Sequence, residues 1–238
     1  MFPYDNALLA AVQAAPQSVA DVLNTMQVID GICIPGDGLK WFNWLYYQVT
    51  QAVETRVSGG GFNNPAWLST LDVKFATLFF DALRADLTGA SVPGCWSAMF
   101  SVRDQQKIAR IQFALAGVNA HINHDLPLAI MTTCQDTGTV PQHGTPEYSD
   151  YTSLNTNLDG LIAEAKSTLN VRLLGDDLPA ISHLSDTIAA WNLSAARENA
   201  WNTAQSLWQQ SPALVAAHVD IIDGLTTVIS KSLLVPVP

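Results

Sequence analysis

An all-α fold is predicted by three features of this chain. Apolar residues in every long segment recur at three- and four-residue spacing, and the breaks between segments carry the proline, glycine, asparagine and aspartate signals that start and stop helices. No stretch keeps the apolar–polar alternation of a half-buried strand. With no repeat of roughly 20 to 50 residues either, the expected architecture is one domain over residues 1–238, an irregular bundle of about eight or nine helices around a central helix near residues 104–132.

The elements follow in order. Asp5 starts a short helix to Ala15, and Pro16 opens a second to Asp30, with Val19, Val22, Leu23 and Met26 on one face. Three glycines and a proline make 31–38 a loop. Residues 39–57 form an amphipathic helix dense in aromatic rings, ended by Gly59-Gly60-Gly61. Asn64-Pro65 pairs a cap with a first-turn proline and opens a helix to Leu87. A short helix holds Trp96, Met99 and Phe100. In the central helix Pro127 lacks an amide donor and clashes with the preceding turn, which predicts a kink or break after Asp125. After a polar loop at 133–146 come helices at 147–169, 177–191, after Ser194 and from Ala213 to Leu233.

Composition excludes several functions. Hydrophobic residues make up 48% and charged residues 13%, which rules out disorder. A net charge of −10 with eleven scattered Lys and Arg argues against nucleic acid and anionic membranes. Three separated cysteines suggest free thiols in a reducing compartment. No run approaches about eighteen uninterrupted apolar residues and the first residues lack a leader pattern. The expectation is a cytoplasmic protein without a membrane span; the oligomeric state is not legible.

The chemistry concentrates in Gly117-Val118-Asn119-Ala120-His121-Ile122-Asn123-His124-Asp125-Leu126-Pro127-Leu128. At about 100° per residue, His121, His124 and Asp125 share an arc of about 100°, while Asn119 and Asn123 stand on another side. Histidine oriented by a carboxylate moves protons near neutral pH, and asparagine amides hold a carbonyl or developing oxyanion. His121 and Asp125 are therefore the candidate catalytic pair, with Asn119 and Asn123 as substrate clamp. Trp41, Trp44, Tyr47, Trp191 and Trp201 are candidate walls for an apolar substrate, although aromatic stripes at helical spacing are ordinarily core.

The run Gly117-x-Asn119-Ala120-His121-Ile122-Asn123-x-Asp125-Leu126 resembles the core of a helical family of unknown function found in bacteria and fungi. Supporting positions include Pro65-Ala66-Trp67, Phe75-Ala76, Asp150-Tyr151, Leu154-Asn155, Trp191 and Ala196-Arg197-Glu198-Asn199-Ala200-Trp201. The resemblance implies an α-helical fold with its site at these positions; it supplies no activity, and it leaves His124 at a variable position.

Three readings remain open. His-x-x-x-Asp spacing lets His121 and Asp125 reach one divalent ion, with a third ligand from Asp81, Asp150, Glu198 or His218. That spacing also resembles an element of the zinc phospholipase C and P1-nuclease group, but Pro127 is followed here by Leu128 and Ala129 rather than a further histidine. The second reading is metal-free acid–base chemistry on an apolar metabolite by a hydrolase, cyclase or isomerase of specialised metabolism. The aspartate-rich motif of isoprenoid cyclases is absent, since Asp176-Asp177 continues with Leu178-Pro179-Ala180, and Ser194-x-x-x-Glu198 is a fragment of their second motif. The third is a non-catalytic module for a lipophilic ligand or partner, the polar cluster being a structural hydrogen-bond network.

Overall fold

The computed structural model describes residues 2–173 and 192–236, and every regular element among them is helical. The order is α1 Asp5–Ala11, α2 Val19–Ile32, α3 Gly38–Ser58, α4 Pro65–Thr88, α5 Gly94–Phe100 and α6 Arg110–Ala120. A π-helical turn, His121–Asp125, joins α6 to α7, Leu126–Thr137. Then come α8 Pro146–Ser153, α9 Asn155–Leu173, α10 Leu193–Leu207 and α11 Pro212–Leu233. The helix expected at 177–191 lies outside the described residues, as do Trp191 and Asp176-Asp177.

Capping explains most boundaries, and side chains that accept amide protons relieve the orphan donors of a helix start. Asn64 accepts from the Trp67 amide at 3.1 Å with Pro65 in the first turn. Asp37 accepts from Leu39 at 2.9 Å and starts α3. Four expectations shift. α1 stops at Ala11, and Ser18 rather than Pro16 sets the start of α2 by accepting from Asp21. Asn192 caps α10 through Ala195, whereas the Ser194 hydroxyl donates to Asp159. The segment 147–169 is two helices that break at Leu154.

The central helix is observed, displaced and interrupted. It begins at Arg110 rather than 104 and continues to Thr137. The interruption precedes Pro127: the Leu126 amide bonds to the His121 carbonyl five residues back, the signature of a π turn. Proline cannot donate to the carbonyl four residues before it. Widening the preceding turn by one residue absorbs that defect without breaking the rod.

This rod packs against α3, α4, α10 and α11. Gly117 lets α3 approach, for a β-carbon there would sit 2.3 Å from the Phe42 ring. Gln112 ties the rod to the end of α11: its side-chain oxygen accepts from the Ala109 amide, while its amide nitrogen donates to the carbonyls of Leu233 and Val235 at 2.7 and 2.9 Å. The interior around it is aromatic, with Phe42, Trp67, Phe79, Phe80, Trp96 and Trp201 fully buried.

Candidate functional site

The π turn holds His121 and Asp125, an i,i+4 pair in contact inside the bundle. His121 Nδ1 lies 2.8 Å from Asp125 Oδ2, His124 Nδ1 lies 2.7 Å from Asp125 Oδ1, and Trp96 Nε1 donates to Asp125 Oδ2 at 3.0 Å. All three of the turn's ionisable side chains are buried. Burial alone would push the Asp125 carboxyl up, but the hydrogen bonds from His121 and His124 outweigh it and hold the group below its ordinary value. For His121 burial dominates and lowers the imidazole pKa against the pull of Asp125. Burial also works against His124, yet its hydrogen bond to Asp125, with the charges of Asp125 and Asp223, raises it. These shifts favour the charged forms of His124 and Asp125 and the neutral form of His121. Because His121 donates through Nδ1, its Nε2 carries a lone pair, and that atom is buried without a hydrogen-bond partner.

His121 lines a cavity of about 80 Å³. Most of the wall is aliphatic, including Leu45, Leu68, Leu71, Val118 and Leu126, with Phe42, Tyr46, Phe75 and Tyr151 as its aromatic part. Val49, Val53 and Asp72 are the lining residues that are only half buried, which marks that side as the mouth. Two other buried polar atoms on this wall also lack a partner, the Tyr46 hydroxyl and Asp72 Oδ2. Burial, then repulsion from Glu54, pushes the Asp72 carboxyl up to about 7, against a downward pull from Arg197. Arg197 also lines the cavity, with Nε donating to Asn155 Oδ1 at 2.7 Å and Nη2 to the Tyr151 carbonyl at 2.8 Å, its guanidinium over the Tyr151 ring.

Among the described residues, the aromatic side chains singled out in the sequence, Trp41, Trp44, Tyr47 and Trp201, do not form this wall. The Trp41 indole donates to the Pro35 carbonyl under the Arg110 guanidinium, and Trp44 is half buried elsewhere on α3. The Tyr47 hydroxyl accepts from Gln27 and Gln51. Trp201 packs against Trp67, Tyr148 and Tyr151. On α3 the cavity takes residues 42, 45, 46, 49 and 53, one stripe of that helix, and leaves 41, 44 and 47 on other faces.

Asn119 and Asn123 also face away. Asn119 donates to the Thr226 carbonyl and the Ser230 hydroxyl, both at 3.0 Å, and accepts from Asn123 at 2.9 Å. Asn119, braced by Asn123, ties α11 to the rod. His124, left without a role by the motif, is the second partner of Asp125.

The metal arrangement built on His121 and Asp125 is not assembled. Those two groups bond to each other, and the expected third ligands are engaged elsewhere. Asp150 accepts from the amides of Asn63 and Asn64. Glu198 pairs with His143 and Tyr148, Asp81 pairs with Arg84, and His218 is exposed on α11. Among the described residues, ligand atoms of Cys95, His124 and Asp223 do lie within 4.8 Å of one another, where both Asp223 oxygens already accept amides at the start of α5.

Asp72 and Tyr46 are the polar groups that sequence reasoning missed. Asp72 did carry a signal, an acid interrupting the apolar stripe of α4; Tyr46 was one ring among several, and only the packing shows its hydroxyl without a partner.

Fold and site together define an all-α bundle that encloses an apolar cavity faced by a buried histidine. The chain belongs to the family of unknown function DUF5995, whose profile matches residues 19–236. No curated protein and no solved structure matches it.

Proposed function

We propose that this protein is an enzyme that moves a proton on a small, largely apolar molecule held in the cavity, with His121 Nε2 as the base. One observation carries the reading: three buried polar atoms without partners, His121 Nε2, the Tyr46 hydroxyl and Asp72 Oδ2, line the same cavity. Each forgoes a hydrogen bond at a cost of about 1–3 kcal/mol. Three such costs on one apolar wall accord with a ligand that supplies the missing partners.

The roles follow from the atoms. His121 accepts a proton at Nε2 while Asp125, bonded at Nδ1, positions the ring and stabilises the imidazolium that forms. Tyr46 donates to a ligand oxygen. Asp72, its carboxyl near 7, returns a proton elsewhere on the same molecule, as a pair of groups with converging proton affinities allows. Such a division suits an isomerisation or cyclisation, and equally a hydrolysis in which His121 activates water. A cavity about half the roughly 150 Å³ that encloses benzene favours a small ligand, or one that enters by one end past Val49 and Val53. The three buried, unpaired cysteines accord with a reducing, cytoplasmic setting.

The mostly aliphatic wall also favours a second reading, a carrier that binds a lipophilic ligand without changing it. One experiment separates the two. Wild type and His121→Asn are incubated in heavy water with the apolar metabolite fraction of a cell extract, and the fraction is then analysed by mass spectrometry. Asparagine keeps an N–H near the position of Nδ1 but has no Nε2. Catalysis predicts a metabolite that gains deuterium or disappears only with wild type; unchanged metabolites, one of them retained by both proteins, would establish the carrier.

A further inference from the structure

The last helix, α11, carries an apolar seam on the side away from the bundle. Its inward face is held by Thr226, Ser230 and Leu233, all buried. Outward stand Leu214, His218, Ile221, Leu225, Val228 and Ser232, at successive spacings of four, three, four, three and four. That is the a/d rhythm of a coiled coil, the pattern a helix shows to another helix. Leu214, Ile221, Leu225 and Val228 are 59, 61, 65 and 67% exposed. Single exposed apolar residues need no explanation, but a contiguous row of them along one helix does.

The chemistry of the face narrows its occupant. By length and composition α11 could cross a membrane. Leaving the bundle would, however, orphan Asn119 from Thr226 and Ser230, and Asp223 from the amides of Gly94 and Cys95. Adsorption on an anionic surface needs basic flanks, whereas Lys231 is the one cation on this helix and the chain carries −10 overall.

We infer that the seam is a homodimer interface in which α11 packs antiparallel against α11 of a second copy, Leu225 of one opposite Val228 of the other. Charge complementarity selects that direction. Asp220 and Lys231 are the exposed charges of α11, and they lie on one flank of the seam. A parallel pair puts the Asp220–Lys231 flanks of the two copies on opposite sides of the interface, where these charges do not meet. The antiparallel pair brings Asp220 of each copy to within about 3 Å, along the axis, of Lys231 of the other. The two-fold axis makes the contact twice. At roughly 100 Å² per seam residue the interface removes on the order of 600 Å² per chain from water, close to the ~800 Å² per partner of a standard stable complex.

Sedimentation equilibrium of the full chain over a wide concentration range tests the inference. The expected result is a dimer that Leu225→Glu with Val228→Glu converts to a monomer, with far-ultraviolet circular dichroism and melting temperature preserved. Asp220→Lys should weaken dimerisation about tenfold, and adding Lys231→Asp to it should restore the wild-type constant. The charge swap leaves the apolar seam intact, so it reads the pairing even if the double glutamate variant folds poorly. A chain monomeric at every concentration overturns the inference. So does a dimer indifferent to both sets of variants. Co-flotation of a monomeric chain with phosphatidylcholine vesicles, lost in the glutamate variant, would assign the face to lipid and overturn it equally.

Discussion

The ring of Phe75 lies flat against the imidazole of His121, centroids 3.5 Å apart and planes within 6° of parallel. Tyr46 meets the same imidazole edge-on at 4.4 Å, and Asp125 holds its Nδ1. The imidazole is thus fixed on several sides while Nε2 is left for the cavity. Preorganisation of this kind is what a proton-transfer site requires, since a misaligned base loses rate steeply. Phe75→Leu should cost about 1–2 kcal/mol in urea unfolding. For the metabolite found in the heavy-water experiment it should lower kcat much more than it raises KM. A pure KM effect would show that Phe75 only shapes the cavity.

Asp72 gives the clearest pH signature. Its carboxyl, pushed up to about 7 in the folded protein, sits near 3.9 in an unfolded chain. The folded state therefore binds the proton more tightly. Its stabilising share is full below about pH 4 and is lost as pH rises through about 7. Asp72→Asn removes that loss. Thermal melts should show the variant more stable than wild type by about 1–2 kcal/mol at pH 8, or roughly 4 °C, with the gap closing toward pH 4. The same variant should lose turnover, the pattern of a residue kept at the expense of stability.

Gly117 tests whether the cavity depends on helix approach. A β-carbon at this position meets the Phe42 ring at 2.3 Å, and Phe42 both lines the cavity and contacts His121 edge-on. Gly117→Ala should cost about 2–3 kcal/mol through overpacking, measured by chemical denaturation, despite alanine's better helix propensity. A stabilised variant would mean that α3 can shift without loss.

Asp125→Asn is expected to be costly for a different reason. One carboxylate accepts from two histidines and a tryptophan, and an amide has a single acceptor oxygen. Removing one partner of a buried charged pair costs about 3–5 kcal/mol. Equilibrium unfolding should register that loss, while His121→Asn loses far less because its N–H remains. Equal losses would place both residues in a purely structural network.

Much of the fold is legible because helix signals are local. Asn64-Pro65 announces α4 and Pro212 announces α11 with no help from the rest of the chain. The spacing of His121, His124 and Asp125 likewise places them together whether the turn is α or π. The direction each side chain faces is not local. Trp41, Trp44 and Tyr47 read as cavity walls on the same terms as Phe42 and Tyr46, and the separation follows from which stripe of α3 meets the rod. Asn119 reads as a clamp until α11, more than a hundred residues later, supplies the Thr226 carbonyl and Ser230 hydroxyl.

By itself, then, the sequence determined an all-helical bundle, its central rod and the His121–Asp125 pair, since periodicity, capping and i,i+4 spacing act within a few residues. Only the tertiary structure decided that Asp72 and Tyr46 share a cavity with His121, that the asparagines serve α11, and that α11 turns an apolar seam outward. Those outcomes depend on contacts between segments far apart in the chain. There, burial and the satisfaction of polar groups, rather than local propensity, select the arrangement.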